Sequence, residues 1–145
     1  MSLVTQIAKS VAAELNRHVF SLPFEAVFTV KPGFELSELE SLRVIVTPKT
    51  LEIETVSRSS SKYLVSVDIG IMQRIGKMTP EEAVETFGDL VDEIADFLSE
   101  RHLDDFKTAT FVGIANEPVY VPEHLTQMRT FTSVLNVKYA LVSDR

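Results

Sequence analysis

The 145-residue chain contains no cysteine. That excludes disulfides, thiolate zinc sites, iron–sulfur clusters and a cysteine nucleophile, and it fits a reducing compartment. Its five glycines are scattered singly, so no glycine-rich loop could cradle a phosphate. Three histidines, far apart, are too few to outline a site. No run of about 18 apolar residues exists, so no membrane-spanning helix is expected. Positive charge is also scarce. The net charge is −7, and no basic run carries interleaved aromatics, so binding to nucleic acid phosphates is not expected. The opening "MSLVTQIAKSVAAELNRHVF" lacks a basic leader, and Gln6, Lys9 and Glu14 interrupt any apolar block, so it does not read as a signal peptide.

What remains is an ordinary globular composition, 45% hydrophobic and 24% charged, at a length that suits one domain over residues 1–145. A chain of this size buries roughly two thirds of its unfolded surface.

Two segments have helical period. Leu3, Ile7, Val11 and Leu15 form an i, i+4 stripe flanked by Val4, Ala8 and Ala12, with Gln6, Lys9 and Glu14 on the polar side. Pro23 limits this helix. In "MTPEEAVETFGDLVDEIADFLSERHL", Thr79 is an N-cap, Pro80 stands at N1 and Glu82 at N3, the pattern of a capping box. Val84, Phe87, Val91, Ile94 and Leu98 make its apolar stripe. Gly88 costs this helix about 1 kcal/mol relative to alanine.

The other segments alternate. "FEAVFTV" (24–30) places Phe24, Ala26, Phe28 and Val30 on one face, and Pro32–Gly33 then signals a turn. Ser37 with Glu40 resembles a capping box for one helical turn. "LRVIVTP" is a strand that Pro48 is expected to end. "TLEIETV" sets Leu51, Ile53 and Thr55 against Glu52, Glu54 and Val56. After "SRSSS", "KYLVSVDIGIMQRI" restarts with Tyr63, Val65, Val67, Ile69 and Ile71 on one face. The pair reads as an antiparallel hairpin. "TATFVGIANEPVYV" reads as a strand with a turn at Asn116–Pro118, and "PEHLTQM" as a connector. In the last strand, "RTFTSVLNVKYALV", the residues Phe131, Ser133, Leu135, Val137, Tyr139 and Leu141 face the core. Thr130, Thr132, Val134, Asn136, Lys138, Ala140 and Val142 face away. These elements predict an α+β domain with a mostly antiparallel sheet and both amphipathic helices on one of its faces. The hairpins between residues 24 and 71 are expected to make neighbouring strands antiparallel.

Catalytic constellations are weak. His102 and Asp105 in "RHLDD" have i, i+3 spacing, but Arg101 and His102 are better explained as cations in the last turn of a helix. Glu52 and Glu54 lie about 7 Å apart on one side of a strand, an arrangement far commoner as a solvated face than as a glycosidase pair. The serines of "SRSSS" have no base nearby in sequence. The expectation is therefore no enzyme, no catalytic residue, no metal and no cofactor. What the chain offers is surface: Arg58 at a hairpin tip, open to a partner's carboxylate, and Val134, Asn136 and Lys138 on the mixed face of the last strand. Val56 and Val142 add apolar surface that another chain could bury. The acidic face of the second helix suits a basic partner or plain solvation.

Taken together, "FEAVFTVKPGFELSELESLRVIVTPKTLEIETVSRSSSKYLVSVDIGI", the acidic "DEIADFLSE" and the closing "FTSVLNVKY" resemble small structural proteins of tailed phages and prophages, of the tail-terminator (tail-completion) kind. The likeness runs from about Val4 to Val142 and lies in the order and spacing of structural segments. It implies an α+β fold and assembly into a ring, commonly a hexamer, at the head-proximal end of the tail. Such a ring stops tail-tube growth and prepares the tail for joining. The implied partners are the chain itself, the tail-tube protein and head–tail connector proteins. The implied location is the virion tail, assembled in the host cytoplasm. The family carries no catalytic residue to transfer. A neighbouring neck protein and a small-molecule-binding α+β domain are the competing readings.

Overall fold

A computed structural model of the chain describes residues 2–30 and 39–144. The Pro32–Gly33 turn and Ser37, with its capping box to Glu40, lie outside or straddle the edge of the described residues. The elements are α1 (Leu3–Asn16), β1 (Ala26–Phe28), β2 (Arg43–Thr55), β3 (Ser60–Arg74), α2 (Pro80–Leu98), β4 (Thr110–Asn116), α3 (Pro122–Gln127) and β5 (Thr130–Asp144). The five strands form one sheet in the order β1-β2-β3-β5-β4. Pairing is antiparallel except between β1 and β2, which run parallel with Ala26 opposite Val44. The expected antiparallel neighbour at this point is therefore corrected. Residues 29–42 supply the dozen or so positions that a parallel return needs, where a hairpin needs about two to five.

Both long helices cover one face of the sheet. Ile7, Val11 and Leu15 of α1 and Phe87, Leu90, Val91, Ile94 and Leu98 of α2 join a single core with Val44, Val46, Ile69, Ile71, Leu135 and Val137. Thr79 caps α2 as expected, its hydroxyl accepting from the Glu82 N–H at 3.2 Å. Asn16 holds the short β1 in place: its amide donates to the Ala26 carbonyl at 2.9 Å, and its side-chain oxygen accepts from the Ala26 N–H at 2.7 Å. In β5, Phe131, Ser133, Leu135, Val137 and Tyr139 are buried as expected and Leu141 is half-buried, but Thr130 and Thr132, expected to face away, are buried as well, Thr132 meeting His124 of α3 at 2.9 Å.

Several expectations change. Pro48 does not end a strand, because β2 runs from Arg43 to Thr55 with a register shift at Pro48/Thr50. β1 pairs only as far as Val46, so Pro48 sits on a sheet edge, where its missing N–H costs no ladder bond. "PEHLTQM" contains α3, which contacts β5. Val30, expected on the core face of the first strand, is exposed. α2 ends at Leu98, and Glu100 takes a left-handed turn (φ 59°), so Arg101 and His102 lie beyond the helix.

The largest correction concerns Glu14. Expected on the polar side of α1, it is fully buried. Its carboxylate accepts from Arg101 Nε at 2.8 Å and from the Asp104 backbone N–H at 2.7 Å, with Arg17 at 3.4 Å. Burial opposes its ionised form, but the Arg101 hydrogen bond, the Asp104 N–H and the two guanidinium charges outweigh burial and hold the carboxyl below its ordinary range. Arg101 also lies over the Phe97 ring, 4.2 Å from its centroid. Glu14 thus fastens the 99–105 turn to α1. Nearby, the Tyr139 hydroxyl is buried without a hydrogen-bond partner among the described residues. Burial, with the Glu14 charge, pushes its phenol well above the usual value.

Candidate functional site

Strand lengths decide what the helices leave open. β3 and β5 are each 15 residues long, about 50 Å at the usual rise. α1 has 14 residues and α2 has 19, about 21 and 28 Å. The helical layer stops near the row Leu51–Val65–Tyr139. Beyond it β2, β3 and β5 continue as a three-stranded arm, in register from Ile53–Tyr63–Leu141 to Thr55–Ser61–Ser143.

This arm exposes apolar side chains on both faces. Leu51 is 41% exposed, Ile53 60%, Val56 58% and Val142 63%. Leu51 and Ile53 pair with Val65 and Tyr63, so alternation places them on the core side, but no described helix reaches over them. Arg58 stands at the arm's end, where Ser57 closes the turn by a hydroxyl contact to Ser60 at 2.9 Å. Arg58 makes no ion pair among the described residues.

Val134, Asn136 and Lys138 come together on the opposite, outer face of the sheet. Val134 is half-buried and Lys138 exposed. The Asn136 amide donates to Asp68 at 3.0 Å, and the Lys49 ammonium lies 3.6 Å from the other Asp68 oxygen. Of these, Lys49, Asn136 and Lys138 line a broad concavity with Ile114 and Glu117, and Val134 lies outside it. Arg58 is not part of this surface: Val134 pairs with Gly70, ten positions along β3 from Ser60, or roughly 33 Å. The four residues singled out from sequence therefore belong to two surfaces. Leu51 and Ile53 were missed as surface residues. The signal that could have found them is the mismatch between strand and helix length.

Other chemistry is sparse. Among the described residues, no group of three or more His, Cys, Asp and Glu could hold a metal ion. Asp105 is engaged by Arg17 at 2.7 Å, and His102 is exposed. Glu52 and Glu54 are exposed on the outer face, with Glu54 opposite Lys62. No described helix is long and apolar enough to cross a membrane. The acidity is concentrated: α2 carries seven acidic residues and no basic one, which equals the net charge of the whole chain.

No family model and no curated protein matches the chain. Among the solved structures that match, one aligns over 97% of this chain and 91% of its own length, with 12% identity and a TM-score of 0.39. A likeness at that level carries no argument about function.

Proposed function

We propose that the chain is a non-enzymatic structural subunit that assembles with copies of itself, and that the assembly is a ring of the tail-terminator kind, closing the head-proximal end of a phage tail. One observation carries the self-assembly: a well-packed domain projects a three-stranded arm whose apolar side chains its own helices do not reach. Contiguous apolar surface of this sort marks interaction sites. The phage setting comes from the order of segments along the sequence. In it, the partners are the tail-tube protein and the head–tail connector proteins.

Native mass spectrometry over a concentration series, with and without tail-tube protein, tests the reading. The expected result is a closed oligomer, and tubes of defined length capped by it. A chain that stays monomeric alone and with tubes, and leaves tube growth unchanged, refutes it.

A further inference from the structure

At the end of the molecule opposite the arm, α2 and the segment before α3 enclose a shallow groove of about 320 Å3. Its lining is apolar, formed by Pro80, Val84, Tyr120 and Leu125, and Glu81 and Glu85 rim it. Both glutamates are exposed and hold no ion pair among the described residues. Arg129, which lies nearby, is committed to the carbonyls of Gly76 and Met78 at 2.6 and 2.9 Å. The groove is thus an apolar trough with a negative rim. The arm end has the converse character: exposed Ile53 and Val56 beside the cation Arg58, which holds no ion pair among the described residues. β3 spans the molecule from the one feature to the other, about 50 Å.

We infer that the arm end of one copy docks in the Val84–Tyr120 groove of the next, with Val56 on the apolar floor and Arg58 between Glu81 and Glu85. This inference rests on the self-assembly reading and specifies its contact. Opposite charges around an apolar centre fix which end meets which. Because the two surfaces differ and lie at opposite ends, the contact is head-to-tail. Repetition closes a ring when the rotation per copy permits and otherwise runs on as a filament. Two arm ends brought together would instead oppose Arg58 to Arg58, and two grooves would oppose glutamates.

The test uses full-length chain in sedimentation runs over a concentration series. Arg58→Glu and the double change Glu81→Arg/Glu85→Arg should each weaken association by about tenfold or more, the scale of one charge-assisted contact. The triple variant, with both signs reversed, should recover it, and salt should weaken the wild-type contact. Glu81→Gln/Glu85→Gln serves in place of the reversal if that change disturbs the start of α2, with circular dichroism as the check. The absence of native cysteine permits a second readout: Ser59→Cys/Glu85→Cys should form a ladder of disulfide-linked species on oxidation, while each single variant gives no ladder. If wild type associates and neither reversal nor the cysteine pair has these effects, self-assembly stands and this contact is overturned. If wild type does not associate at any concentration, the contact falls together with the self-assembly reading.

Discussion

Replacing Glu14 by glutamine removes one charge from the interior with almost no change of shape. The carboxylate accepts two good hydrogen bonds, from Arg101 Nε and the Asp104 N–H. Glutamine has a single acceptor oxygen, so one bond survives with a neutral acceptor while at the other site the amide N–H meets a donor. With about 1.5–3 kcal/mol for a hydrogen bond to a charged group against about 1 kcal/mol for a neutral one, the pair loses about 3 kcal/mol. Arg101 and Arg17 are 43% and 45% exposed, and water screens their share. The expected loss for Glu14→Gln is therefore about 2–3 kcal/mol at neutral pH. The sign with pH follows from the direction of the shift. The folded-state pKa lies below the unfolded value, so the contribution is full above the ordinary carboxylate pKa, near 4.5. It is lost as pH falls through the lowered folded value. Urea denaturation at pH 7 and pH 3 is the assay, read as the midpoint at constant slope. The gap between variant and wild type should narrow at the lower pH. A variant as stable as wild type at pH 7 refutes the structural role of the cluster. A deficit of the same size at both pH values shows that packing, not charge, was lost.

Tyr139→Phe removes a buried hydroxyl with no partner among the described residues. It should raise stability by about 1 kcal/mol, and a loss of that size in thermal unfolding would show that the hydroxyl is bonded. Phe87→Ala, which strips the α2 face of a ring 5.5 Å from that of Phe131, should cost about 3–5 kcal/mol, and a near-wild-type denaturation midpoint would contradict its core placement. Gly88→Ala meets no atom within 4 Å and should stabilise α2 by up to about 1 kcal/mol, whereas Gly70→Ala brings a Cβ to 3.1 Å from Ile45 and should destabilise. Calorimetry on the glycine pair should give opposite signs. Limited proteolysis of the free chain should cut first at Ser57–Ser59, and protection there at concentrations where no oligomer forms would mean the tip is covered within one copy.

The sequence by itself determined the class of the two long helices and of the strands, and most of their faces, though not the short α3. Helical period marked the buried sides of α1 and α2, the Thr79–Pro80–Glu82 pattern marked where α2 begins, and alternation divided β5 correctly into Leu135, Val137 and Tyr139 against Val134, Asn136 and Lys138. These are local facts, written in spacings of two to four residues. Tertiary structure decided whatever depends on distance. The parallel pairing of β1 depends on where a long connection returns the chain. The burial of Glu14 depends on Arg101 and Asp104, almost ninety residues away in sequence, since no periodicity records which polar residue will meet a partner. Pro48 continues β2 only because β1 stops short of it and leaves that edge open. Leu51 and Ile53 have the alternation of core residues and are exposed because α1 and α2 are shorter than the strands they cover. Period fixes the direction in which a side chain points, and only the packed layers fix whether anything lies there to meet it.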